Sequence, residues 1–248
     1  MPDAFVAGGG LIIDTADVYS AWVDGHEGGE SERVIGEWLE RRGRRDEEMI
    51  TAKVGMLPIG DGKGLAPQHI AAAVKAGKVR VVGASNFTVD RLSAAIEAQD
   101  AKGAARYEAL QNQYNLLERD EYEGALQDYC VAHDIGMTPY YGLASGYLSG
   151  KYRSAGDLKG TRSGGVKTYL EGDGPRVLAA LDEVAEATGA NQAQIALAWI
   201  AAQPGIAAPI ASATGVKQVE ELLGAMELTL DRDQLGARDA ASAATETA

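Results

Sequence analysis

Residues 79–111 read VRVVGASNFTVDRLSAAIEAQDAKGAARYEALQ. The run 79–84 is rich in valine, as a short buried strand is. Residues 88–101 read as a helix with Thr88 as its cap, and 107–111 as a second strand. Strand, helix, strand at this spacing is the unit from which parallel sheets with outer helices are built. Working outward, strands are expected at 11–14, 49–54, 136–140 and 206–210. Helices are expected at 30–42, 67–76, 121–133, 175–188 and 191–202, with a last one from about Val216. In the helix at 30–42, Val34, Ile35, Trp38 and Leu39 fall on one face. The count is six strand–helix units, where a closed barrel of this type has eight. The expected fold class is therefore α/β, a derivative of the eight-unit TIM barrel that is small or incomplete. The glycine-rich stretch 142–174 reads as one long polar loop.

The 248 residues are 46% hydrophobic, enough for one large core. A single domain over 1–238 is expected, followed by a flexible Ala/Thr-rich tail at 239–248. The net charge of −13 argues against nucleic acid as a partner. Cys130 is the one cysteine, and no basic-then-apolar leader opens the sequence, so a cytoplasmic protein is expected. The most apolar stretch, 193–213, is broken by Gln203, Pro204 and Gly205, which excludes a membrane span there. No metal site is expected, since His26, His69 and His133 are scattered. Gly60, Gly62 and Gly64 do not have the spacing of a phosphate-binding glycine motif.

Chemistry concentrates at strand ends. Asp14 ends the first strand, Tyr19 follows five residues later, and Lys53 ends the next. In a parallel sheet these ends share a face, and adjacent strands lie roughly 5 Å apart, close enough for Asp14 and Lys53 to pair. A lysine beside a phenol favours the phenolate, and a phenol so tuned can protonate a carbonyl oxygen. From spacing alone an ordinary ion pair beside a loop tyrosine is the commoner case, because such pairs are often only structural. Ser85, Asn86, Gln111, Tyr140 and Tyr141 also stand at strand ends, in positions suited to a planar amide-bearing ring.

These stretches resemble the aldo-keto reductase superfamily. IIDTADVYSAW (12–22) with GGESERVIGEWL (28–39), ITAKVG (50–55), GKVRVVGASNF (77–87), LQNQYNLLERD (110–120), TPYYGLASGYLSGKYR (138–153) and QIALAWIAAQPGIAAPIASAT (194–214) are similar to the family's blocks, in the family's order. The resemblance implies an α/β barrel that reduces aldehydes or ketones with a nicotinamide cofactor. It implies Asp14, Tyr19 and Lys53 as catalytic, with Tyr19 the general acid. It implies Ser85, Asn86 and Gln111 at the nicotinamide carboxamide and Tyr140 stacked on its ring. Leu143, Ser145, Gly146 and Leu148 fall in the loop over the pyrophosphate. Ser212, Thr214, Gln218 and Glu221 fall at the adenosine end, which in this family usually favours NADP(H) over NAD(H). Here Gln218 stands in place of the usual arginine and Leu222 in place of a frequent asparagine.

Two departures from the family pattern are expected to matter. The sequence opens with DAFVAGGG, inside the helix that the family's first strand normally precedes. LAPQHI (65–70) runs directly into AAAVKAGKVR (71–80), where the family has a further strand ending in its catalytic histidine. A sheet short of two strands either closes as a smaller barrel or stays open, and open edges favour self-association. The expected function is reduction of a small carbonyl substrate, slowed by the missing histidine. The alternatives are a weakly catalytic dinucleotide-binding or interaction protein, or a truncated product.

Overall fold

The computed structural model describes residues 1–56, 67–158 and 163–242. Within Met1–Arg80, the first of two compact units, Ile12–Asp14 form β1 and Met49–Thr51 form β2. They pair in parallel, with Ile12 beside Met49 and Asp14 beside Thr51. Helix α1 spans Pro2–Ala7, α2 spans Glu30–Arg42 and α3 spans Pro67–Lys75. Helix α2 begins with Glu30 and Glu32 and ends with Arg41 and Arg42, charges that complement the helix dipole. Gly43 stops it in the left-handed conformation, φ 66°, returning its N–H to the Leu39 carbonyl, a conformation glycine adopts without a Cβ penalty.

This unit has little core. Ala16 and Trp38 are its buried hydrophobic residues among those described, while Leu11, Val34, Met49 and Val54 are exposed. The expected apolar face of α2 is thus only partly used. Polar contacts hold Trp38 instead. Its indole Nε1–H donates to Asp3 Oδ1 at 2.8 Å, and the Arg42 guanidinium lies 5.0 Å from its ring centroid. Arg42 also pairs with Glu48, whose side chain is fully buried, at 2.8 Å.

The second unit, Val81–Ala248, contains β3 (Val82–Ser85), α4 (Val89–Lys102), β4 (Tyr107–Gln111), α5 (Ala125–Ala132) and β5 (Gly136–Met137). The sheet order is β3-β4-β5, all parallel. Gly83 lets the two strands approach closely: a Cβ there would lie 3.1 Å from the Ala109 carbonyl oxygen, a tight contact that the neighbour would have to relieve. Thr88 caps α4 as expected, accepting from the Arg91 N–H. Helices α6 (Ser163–Glu171), α7 (Gly174–Thr188), α8 (Gln192–Ala201), α9 (Val216–Leu223) and α10 (Arg232–Ser242) complete the described elements apart from short 3-10 turns. Ile195 to Ile200 of α8 are all buried, the mark of a helix enclosed on every side. Around it pack Val177, Leu178 and Leu181 of α7, with Leu92, Leu110 and Met137 of the sheet layer in the same core.

Several expectations change. The described strands form two sheets, and neither closes, which is the open one of the two outcomes expected for a sheet short of strands and not the smaller closed barrel. The sixth expected strand, 206–210, is reduced to a parallel bridge between Ile206 and Met137. It is nonetheless held along β5, since Ala207 N–H donates to the Met137 carbonyl at 2.8 Å and Ile210 N–H to the Pro139 carbonyl at 3.0 Å. Pro139 and Pro209 have no N–H, which prevents a continuous ladder. Strand β2 stops at Thr51 and β5 at Met137, so Lys53 and Tyr140 lie just past strands, not in them. The expected long loop 142–174 contains α6, whose Val166 is buried. Gly164 and Gly165 obscure that helix in the sequence. Helix α10 runs on to Ser242; the rest of the expected tail, 243–248, and Gly60, Gly62 and Gly64 lie outside the described residues.

Candidate active site

The first unit brings Asp14, Tyr19 and Lys53 together. The parallel register of β1 and β2 sets Asp14 beside Thr51, and the chain beyond both strands stays paired: Thr15 N–H donates to the Thr51 carbonyl at 2.8 Å and Asp17 N–H to the Lys53 carbonyl at 3.0 Å. Lys53 Nζ donates to both Asp14 oxygens at 2.7 Å and to the Thr15 carbonyl at 2.6 Å. An ammonium has three N–H donors, and three acceptors meet it here. The side chains of Lys53 and Asp14 are 22% and 12% exposed, so water screens the pair less than it would a surface pair.

Tyr19 enters differently from expectation. Its hydroxyl donates to Asp14 Oδ2 at 2.9 Å, and Lys53 Nζ lies over its ring, 4.8 Å from the centroid. The ammonium therefore meets the ring's electron-rich face, and the hydroxyl donates its hydrogen bond to the Asp14 carboxylate. Trp22 packs edge-on against Tyr19 at 6.1 Å. A residue missed in the sequence, Asp17, ties this corner: besides its backbone bond to Lys53, it accepts the Gly55 N–H at 3.3 Å, and its carbonyl accepts the Gly29 N–H at 2.7 Å. Of the histidines, His26 follows in the Tyr19 loop, with its N–H bonded to the Val23 carbonyl. His133, in the second unit, stacks on Tyr129 at 4.0 Å. The side chain of His69 lies outside the described residues.

The second unit gathers the other expected residues in two groups. Ser85 and Gln111 are register partners at the ends of β3 and β4. Asn86 N–H donates to the Gln111 carbonyl at 3.2 Å, and Tyr140 Oη donates to Asn86 Oδ1 at 2.7 Å. Burial, then the nearby Glu121 and Tyr141, push the Tyr140 phenol above its usual pKa, which keeps its proton on that bond. Asn86 takes a left-handed backbone, φ 58°, which asparagine tolerates. Asn112, unforeseen, secures it: its amide donates to the Phe87 carbonyl at 3.0 Å and accepts the Phe87 N–H at 3.3 Å.

The second group surrounds a cleft of about 180 Å³ lined by Leu143, Ser149, Asn191, Ala193, Gln218, Glu221 and Leu222. Of the expected residues, Leu143, Gln218 and Glu221 meet here, and Thr214 joins through Gln218 Oε1, which accepts its N–H at 2.9 Å and its hydroxyl at 3.2 Å. Ser149, Asn191 and Ala193 were not among the expected contacts, and Leu222 lines the cleft where the resemblance implies a frequent asparagine. Asn191 was disguised as a helix signal, since it forms a reciprocal cap with Gln194 at the start of α8. Ser145 and Gly146, φ 58° and 91°, shape a left-handed bend in the 3-10 segment Ala144–Ser149, and Ser212 is exposed. Leu148 is fully buried in the core. Lys151 Nζ would sit 3.3 Å from a Cβ at Gly146, bringing a cation to this bend. The cleft is smaller than the roughly 300–1,000 Å³ of sites for drug-sized ligands, a size for one end of an extended ligand.

The sequence model of the aldo/keto reductase family matches residues 1–72 and 66–243. The chain belongs to this family. As an aldo/keto reductase it is 30% identical over 164 residues to an aldo-keto reductase of Metarhizium robertsii, covering 65% of this chain but 44% of that protein. It thus spans under half the length of that relative. It is 27% identical over 273 residues to the uncharacterized oxidoreductase YrpG of Bacillus subtilis, covering 90% and 80% of the two chains. To the chloroplastic pyridoxal reductase of Arabidopsis thaliana it is 26% identical over 263 residues, covering 90% and 70%. The last two alignments are longer than the 248-residue chain, so these relatives carry residues inside the aligned span that have no counterpart here. The two family matches overlap at 66–72, the stretch that enters α3. The family generally uses NAD(P)H. No described helix is long and apolar enough to cross a membrane, and no cluster of metal-ligating side chains occurs among the described residues.

Proposed function

We propose that this aldo/keto reductase reduces a small aldehyde or ketone with a nicotinamide dinucleotide, at low turnover. The observation that carries the reading is the sharing of one carboxylate, Asp14, by Lys53 and Tyr19. Tyr19 gives its phenolic proton to the carbonyl oxygen. Lys53, over the ring, offsets the charge of the phenolate that forms, and Asp14 fixes Lys53 and lies on the path by which the hydroxyl is reprotonated. Reduced nicotinamide, when bound, supplies the hydride. Ser85, Asn86, Gln111 and Tyr140 hold the nicotinamide end. The bend at Ser145 and Gly146, with Leu143, takes the pyrophosphate, and Thr214, Gln218 and Glu221 take the adenosine end.

The low rate follows from the join in α3. The overlapping family matches and the long alignments support a missing strand that would bear the family's catalytic histidine. One absent preorganised donor costs on the order of 3 kcal/mol, a hundredfold or more in rate. A second reading, dinucleotide binding without turnover, is favoured by the hydroxyl of Tyr19 being turned to Asp14, since it must leave that bond to act as an acid.

Steady-state reduction of 4-nitrobenzaldehyde with NADPH and NADH separates the two. Slow turnover is expected, and Tyr19→Phe should abolish it while quenching of nicotinamide fluorescence persists. Turnover that survives Tyr19→Phe removes Tyr19 from the mechanism. Quenching without turnover in the unaltered chain selects the second reading. The reading extends to self-association through sheet edges, because Leu11, Met49 and Val54 leave apolar surface exposed at β1 and β2. Light scattering should give a mass that rises with concentration; a constant monomer mass rejects this.

A further inference from the structure

We infer that the cleft beside α9 selects the unphosphorylated adenosine ribose, so that this chain prefers NAD(H) to NADP(H). The inference rests on the dinucleotide-binding reading above and departs from the preference implied by the resemblance. Glu221 is the one ionisable side chain lining the cleft among the described residues, and no lysine or arginine lines it there. Gln218, one turn earlier on the same face, is neutral. Its Oε1 is already engaged by the N–H and hydroxyl of Thr214, which leaves its amide N–H groups as the free polar function.

The helix is also held in place. Gln194 Nε2, from the first turn of α8, donates to the Glu221 carbonyl at 2.8 Å. The carboxylate therefore springs from a backbone anchored to the cleft's other wall. Lys217 Nζ is 3.8 Å from Glu221 and 90% exposed, a solvent-screened pair that neutralises little.

A carboxylate with amide donors around it matches a ribose 2′-hydroxyl, which donates to the carboxylate and accepts from an amide. The same chemistry, an acidic residue for a free 2′-hydroxyl and an arginine for a 2′-phosphate, separates the two dinucleotides in other nucleotide folds. A 2′-phosphate would bring a charge of about −1.5 to −2 beside Glu221, with no cation lining the cleft among the described residues and only the solvent-exposed Lys217 within ion-pair distance of that carboxylate.

The test is binding, measured by fluorescence titration of the full chain with NADH and with NADPH and read apart from turnover. NADH should bind at least tenfold more tightly. Glu221→Gln should strengthen NADPH binding and narrow the ratio, and added salt should narrow it in the unaltered chain. The side chain of Glu221 is about half exposed, so the variant should unfold at an unchanged temperature, and that measurement accompanies the titration. Gln218→Arg combined with Glu221→Gln should reverse the preference. Equal or tighter NADPH binding in the unaltered chain, or a ratio indifferent to Glu221→Gln, overturns the inference while the dinucleotide reading stands. Binding of neither dinucleotide overturns both.

Discussion

Asn112 shows what a single amide can do at the mouth of a sheet. It is 4% exposed and copies a backbone pairing, giving and receiving one hydrogen bond with Phe87. That holds the turn in which Asn86 keeps its left-handed backbone and meets Tyr140. Asn112→Ala should leave the Phe87 N–H and carbonyl without their partner, at a cost of roughly 1–3 kcal/mol, read from the urea midpoint. Weakened dinucleotide binding should accompany it. In the sequence Asn112 is one polar residue in the run QNQYN, and nothing there separates it from Gln111 or Gln113. By contrast Asp14 and Tyr19 are legible because they stand five residues apart, past a strand end. Their bond to each other is not legible, since it depends on which way the hydroxyl turns.

At the scale of elements, α7 and the turn after the 3-10 segment are joined by Arg153 and Asp182. The guanidinium donates to both carboxylate oxygens at 2.7 Å, and Gln192 adds a third bond at 2.8 Å. The hydrogen bond from Arg153 is the main reason the Asp182 carboxyl titrates below its ordinary value. A carboxyl with a lowered folded-state pKa contributes stability that is present above its unfolded pKa, near 3.8. That contribution disappears as pH falls through the lower folded value. Both side chains are about 40% exposed, so solvent screening keeps the contribution under about 1 kcal/mol at neutral pH. Asp182→Asn should cost that amount at pH 7, more at low salt than at high, and the gap from the unaltered chain should shrink progressively as pH falls below 3.8. Thermal unfolding across pH 2.5–7 measures it. Element boundaries were less legible than their existence. Strands β2 and β5 end early because pairing, not β-branched composition, defines a strand, and Pro139 and Pro209 remove donors where the sixth would form.

For the molecule as a whole, core is distributed unequally. The large apolar cluster lies within the second unit, from Ala84 to Leu230, whereas the first unit relies on Trp38, Ala16 and polar contacts. Little buried apolar surface means a low free energy of local opening. Native-state hydrogen exchange should therefore show the amides of β1 and β2 opening more readily than those of β4 and α8. Equal protection in both would show that the polar contacts of Asp3, Arg42 and Glu48 substitute for a core. The proposed trio of Asp14, Tyr19 and Lys53 stands in the unit with the smaller core, so conditions that loosen it should depress turnover before dinucleotide binding.

Alternating strand and helix segments and membership of the aldo/keto reductase family were determined by sequence alone. Periodicity, spacing and block order are local properties of a chain. Other features were decided only in three dimensions: among the described residues, two open sheets, the Tyr19 hydroxyl donating to Asp14, and a cleft whose ionisable lining is Glu221. These depend on which backbone groups find partners and which side chains from distant segments converge, and a linear pattern does not specify such contacts.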